Sequence, residues 1–178
     1  MKFIKIPKYN LYPDTQKEDI FEYICNILNQ TEDPETLEKG SIDNEELLYC
    51  SPLKRSTQSI SQEKFIILNQ LREIPFELKN LISEDDYERE GSIAVRRAFK
   101  EAFISDKLLI SREQIQKENE YILSLEKNAV FLSHTFRIAL ILIQIKTKNQ
   151  IYKNPKLVNK YIDENKKIME FKEITYIP

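Results

Sequence analysis

An α/β fold, with a mostly parallel central sheet and helices on both faces, is what this sequence predicts. Two observations carry the expectation and a third extends it. Short apolar runs suited to buried strands stand at 2–6 (KFIKI), 47–50 (LLYC), 64–68 (KFIIL) and 129–133 (AVFLS). Amphipathic helical patterns lie between and after them, and a helix between two strands is the crossover that parallel pairing needs. Strands buried on both faces read as continuous apolar runs rather than as alternations. The last apolar segment, EITYI at 173–177, does alternate and offers an edge strand.

The helices follow from period and caps. Apolar residues recur at Ile20, Tyr23, Ile24, Ile27 and Leu28 within 16–29, and at Val95, Ala98, Phe99, Ala102 and Phe103 within 92–104. That spacing places each set on one helical face. Ser111-Arg-Glu-Gln114 has the spacing of a capping box and starts a helix that runs to about Leu125. A further helix follows His134. With 178 residues, 41% of them hydrophobic, and no internal repeat, the chain is expected to form a single domain over 1–178.

Composition narrows the function. A formal charge of −2 and a pI near 5.7 provide no basic field to recruit nucleic acid or a membrane surface. The charge is nonetheless uneven: residues 31–46 hold seven acids against Lys39 alone, and the segment from Lys146 to Lys172 holds eight lysines against three acids. Both read as solvated faces. Cys25 and Cys50 match no metal or redox spacing, and with His134 the sole histidine a zinc site is short of ligands. Reduced, buried thiols are expected, with no metal and no cofactor. MKFIKIPKYN lacks the apolar core of a signal peptide, and IALILIQI is too short to span a bilayer. A cytoplasmic location is the default expectation.

In parallel sheets ligands bind beyond the carboxyl ends of the strands, so the residues that follow each strand matter most. After 47–50 comes Ser51-Pro52-Leu53-Lys54-Arg55. Ser51-Pro52 reads as an N-cap with proline at the first helical position, so that backbone N–H groups and Arg55 converge where an anion can sit. The other three strand ends are Pro7-Lys8-Tyr9, Asn69 to Glu73, and Ser133-His134-Thr135.

Taken in order, YCSPLKRSTQS, the LRE at 71–73 and AVFLSHTFRIAL at 129–140 resemble the histidine phosphatase superfamily, the phosphoglycerate mutase-like proteins. The resemblance extends over nearly the whole chain. It implies that fold, with helices from about Leu81 to Leu125 forming a lobe over the strand ends. It also implies that Arg55 is the second phosphate-binding arginine, Glu73 the proton donor, and His134 the second histidine, which stabilises the transferring phosphoryl group. Each role suits its residue: a guanidinium fork matches phosphate oxygens, a shielded carboxyl stays protonated, and an imidazolium offsets developing charge.

The family places Arg-His-Gly after the first strand, its histidine being the nucleophile, whereas this chain has Pro7-Lys8-Tyr9. His134 already fills the other histidine role, so no shift of alignment supplies the missing one. Thr135 and Glu77 stand where the family usually has glycines. The expectation is therefore a catalytically degenerate protein, a pseudophosphatase that binds phosphate or a phosphorylated small molecule through Arg55, His134 and Lys8 without turnover. Two alternatives stand beside it: a phosphatase of low activity with an altered nucleophile, and an interaction or scaffold protein that meets a protein partner and keeps a vestigial pocket. Glu73 and Glu77 are too few to propose a magnesium cage.

Overall fold

The strands are β1 (Lys2–Lys5), β2 (Leu48–Cys50), β3 (Ile66–Ile67), β4 (Val130–Ser133) and β5 (Glu173–Thr175), and they form one sheet in the order β3-β2-β4-β1-β5. Four of them are parallel, and β5 runs antiparallel beside β1 at the edge. The computed structural model describes residues 1–6, 20–34, 47–61, 63–164 and 173–175. The helices are α1 (Ile20–Leu28), α2 (Lys54–Thr57), α3 (Glu84–Glu90), α4 (Ser92–Ile104), α5 (Arg112–Ser124), α6 (Thr135–Thr147), α7 (Gln150–Lys153) and α8 (Leu157–Glu164). This is an α/β chain with a parallel sheet, as expected.

Strand order puts β4 between β1 and β2, and all four of its residues are buried. Register does the rest. Phe131 lies opposite both Phe3 and Tyr49, and the three rings stack with centroids 5.3 and 5.2 Å apart. They share one sheet face with Ile122 of α5 and with Ile138 and Ile141 of α6. Because side chains alternate along a strand, Leu48, Cys50, Val130 and Leu132 fall on the other face, where Ile60 and Phe65 pack.

α6 carries the apolar run IALILIQI, and it is buried almost all round because the sheet lies on one side and a helical lobe on the other. The lobe joins α1, α4, the start of α5, and α8 around a cluster that includes Phe76, Phe99 and Phe136. Phe99 stacks on Phe136 at 4.0 Å between centroids, and Phe76 meets both rings edge-on at 5.5 and 5.8 Å. Phe136 is the second residue of α6, so the lobe abuts the carboxyl end of β4. Among the described residues, no helix is long and apolar enough to cross a membrane.

Several local expectations need correction. The helix after β2 starts at Lys54 with Leu53 at its N-cap and runs for four residues, so Ser51-Pro52 is not the cap pair. The Ser51 hydroxyl accepts the Leu53 N–H at 3.4 Å, but it is engaged more closely elsewhere. KFIIL is not a buried strand: it contributes two residues at the sheet edge, and Ile66 and Ile67 are 45% and 55% exposed. An edge strand has one neighbour, so apolar composition alone does not bury it. At Ser111 half of the box forms: its hydroxyl accepts the Gln114 N–H at 3.1 Å, while the Gln114 amide turns forward to Glu118.

The complete box occurs two helices earlier, at Ser83 and Asp86, where side chain and backbone bond reciprocally at 3.2 Å each. It starts α3, which the periodicity did not reveal because none of its residues is buried. Gly91 then ends α3 with φ +55°, a conformation open to glycine at little steric cost, and its N–H closes on the Tyr87 carbonyl at 2.7 Å.

Candidate functional site

The carboxyl ends of β2, β3 and β4 bring Arg55, Glu73 and His134 together, because parallel strands deliver their following residues to the same edge. The link between β2 and β4 is direct. His134 Nε2 lies 2.9 Å from the Ser51 hydroxyl and 3.3 Å from the Ser56 hydroxyl, the residues that bracket α2's approach and follow Arg55. All three are buried. Lys8, with Pro7 and Tyr9, lies outside the described residues.

Glu73 is fixed by α6. Its Oε1 accepts the N–H groups of Ile74, Phe136 and Arg137 at 3.0, 3.1 and 3.1 Å, and its Oε2 makes one longer contact, 3.3 Å, to Phe136 N. The side chain thus satisfies two of the donors that any helix start leaves open. Among the described residues the carboxylate serves backbone N–H groups and pairs with neither Arg72 nor Arg55. Burial pushes its pKa up, against the opposing pull of those N–H groups and of the Arg55 charge. With Oε1 fully used, Oε2 is the oxygen left to carry a proton.

His134 is buried at this strand end. Burial holds its pKa well below the ordinary 6.5, and the Arg55 and Arg137 guanidiniums lower it further. The imidazole is neutral at pH 7. A pH dependence follows. Between the lowered folded value and 6.5 the unfolded chain binds the extra proton, so His134 contributes stability that is complete above 6.5 and is lost as pH falls. Glu73 has the opposite sign: its raised folded pKa favours the folded chain as pH falls toward 4.5. Because His134 is the sole histidine, its imidazole C–H resonance is unambiguous in a proton NMR spectrum. It is expected to keep the neutral chemical shift as pH falls through 6.5, where a free imidazole titrates; a midpoint at 6.5 or above contradicts the assignment.

Arg55 is paired from within the chain. Its Nη1 donates to Asp33 Oδ1 at 3.1 Å, and the Lys54 N–H donates to Asp33 Oδ2 at 2.7 Å. The Arg55 side chain is 3% exposed and that of Asp33 27%, so the carboxylate closes the outer side of the guanidinium. Asp33 belongs to the acidic segment that the sequence presents as a solvated face. Nothing local marks it among its acidic neighbours, since its contact spans 22 residues.

Arg137 is the second residue the sequence did not single out. Its side chain is 2% exposed; Nε donates to the Arg72 carbonyl at 3.0 Å, Nη1 to Asn119 Oδ1 at 3.1 Å and Nη2 to Glu118 at 2.7 Å. It ties α5 and the turn before Glu73 to the start of α6. An arginine three residues after His134, inside an otherwise apolar helix, was the available signal. Cys25 and Cys50 are free and buried, and burial pushes the thiols up to about 11 and about 12, which makes both unreactive at neutral pH. Among the described residues no cluster of three or more His, Cys, Asp or Glu side chains is arranged to hold a metal ion.

Comparison of the chain with protein-family models, with curated proteins and with solved structures finds no match.

Proposed function

We propose that the chain is a catalytically degenerate protein of the histidine phosphatase, phosphoglycerate mutase-like kind, which binds phosphate or a phosphorylated ligand at Arg55 without turning it over. The observation that supports this reading is the Asp33 carboxylate on the Arg55 guanidinium, an internal oxyanion where the ligand's would sit, with His134 near enough to feel the Arg55 charge. Loss of turnover rests on the sequence, where the sole histidine stands at the second-histidine position and Lys8 at that of the nucleophile. An anion on Arg55 screens one of the charges that depress His134, so its pKa rises on binding.

The test is the melting temperature across a phosphate and aryl phosphate series. Bound ligand stabilises the native chain. Arg55→Ala is expected to remove about 1.5–3 kcal/mol of that binding, the scale of a hydrogen bond to a charged group. Lys54→Ala, which leaves the backbone N–H in place, serves as the control. A ligand-induced shift that is the same in native and Arg55→Ala protein overturns the reading. Incubation with labelled aryl phosphate is expected to leave no acid-labile phosphoenzyme.

A second reading, an interaction or scaffold protein with a vestigial pocket, is favoured by the same Asp33 contact if no external anion displaces it. The phosphatase of low activity has Ser51 beside His134 in its favour.

A further inference from the structure

We infer that Asp33 is a specificity-determining residue of the Arg55 site, a tethered internal anion that admits doubly charged phosphomonoesters and sulfate and turns away singly charged anions. The inference rests on the phosphate-binding reading above and deepens it. The preference for an anion comes from the guanidinium, because the four residues of α2 are too few to sum to a useful dipole.

The tether is built. Asp33 follows the end of α1 across a short segment that its own hydrogen bonds hold in shape. Gln30, at φ +65°, donates its side-chain amide to the Glu73 carbonyl at 2.7 Å. The Thr31 N–H binds Asn29 Oδ1 at 3.0 Å, its hydroxyl reaches the Asn26 carbonyl at 3.3 Å, and the Glu32 N–H binds that carbonyl at 3.1 Å. The carboxylate is thereby presented to Arg55 at an effective concentration on the order of millimolar or higher.

An external monoanion offers Arg55 the same single charge without the tether, and it loses the exchange. A phosphomonoester dianion brings a second charge and a third acceptor oxygen, so it gains where a carboxylate, a phosphodiester or nitrate does not. Exposure makes the exchange feasible in one direction only. Asp33 is partly in water and swings outward without burying a bare charge, whereas Arg55 stays in place. The ligand class is therefore a terminal phosphoryl group, with sulfate as its mimic.

The experiment uses full-length native protein, Asp33→Asn, Asp33→Ala and the Asp33→Asn/Arg55→Ala double variant at constant ionic strength. Phenyl phosphate and sulfate are the dianions; dimethyl phosphate and acetate are the monoanions. Binding is read from melting temperature and from titration calorimetry. Expected is stabilisation of native protein by the dianions alone. Asp33→Asn should melt lower without ligand, bind phenyl phosphate roughly 10-fold tighter or more, and respond to monoanions as well. The double variant should respond to neither. If native protein binds dianions and Asp33→Asn binds them with unchanged affinity and selectivity, the inference falls and the site remains. If neither native nor Asp33→Asn protein responds, or the double variant responds as Asp33→Asn does, the binding site falls with it. Asp33→Ala repeats the comparison where the Asn variant folds poorly.

Discussion

Arg137→Ala is expected to destabilise the chain by about 3–5 kcal/mol, the range for removing one partner of a buried ion pair. The side chain is among the largest fully buried in the molecule, and its removal leaves both a cavity and unpaired acceptors. Asn119 Oδ1 and the Arg72 carbonyl each lose a donor, and Asn119 is fully buried. Glu118 is 19% exposed and rehydrates, so its share of the loss is small. Glu118→Gln, which retains an acceptor, is accordingly expected to cost about 1 kcal/mol. Urea unfolding of the three proteins measures the comparison. A cost under about 1 kcal/mol for Arg137→Ala means that the network does not anchor α6. The consequence for the site is indirect but specific: the Arg72 carbonyl that Arg137 holds precedes Glu73, so loosening it shifts the carboxylate that caps the helix.

Phe99→Ala is expected to cost about 3–5 kcal/mol as well, through cavity formation at a site enclosed on every side. Phe99 is fully buried, stacked on Phe136 and met edge-on by Phe76. Its neighbours Ala98 and Ala102 are too small to move into the gap. Phe99→Leu keeps most of the volume and should lose about half as much. Denaturant midpoints with unchanged slopes decide the matter. Near-equal costs for the two variants would show that ring stacking, not filled volume, holds the lobe on α6. Since Phe136 lies two residues beyond His134, the same experiment tests how far the lobe fixes the site. The His134 resonance should broaden in Phe99→Ala and stay sharp in Phe99→Leu.

Much of the fold was legible because it depends on local pattern. β1, β2, β4 and β5 lie within the predicted apolar runs, and α1, α4, α5 and α6 within the predicted helices, with boundaries that differ by a few residues. KFIIL failed because the residues of a buried strand and of an apolar edge read alike; only the number of neighbours separates them. Ser51-Pro52 failed because the Ser51 hydroxyl is drawn across to His134, 83 residues away, and the helix starts two residues later than the cap signal implies. α3 escaped because a helix with no buried face has no apolar period to detect.

The site divides along the same physical line. Residue type and position after a strand mark Arg55, Glu73 and His134, since the end of a parallel strand is a place that sequence order identifies. By itself the sequence determined that these three side chains belong to strand ends and that the chain has a single histidine. Charge state and partnership belong to the tertiary structure. Burial beside two guanidiniums makes His134 neutral, backbone N–H groups of α6 claim Glu73, and Asp33 reaches Arg55 across 22 residues. Such contacts depend on where the chain returns in space, and no spacing rule encodes a return through a loop. Strand order acts in the same way: β4 carries His134 to the middle of the parallel strands, next to β2, only because a strand from late in the chain inserts between two from its first third.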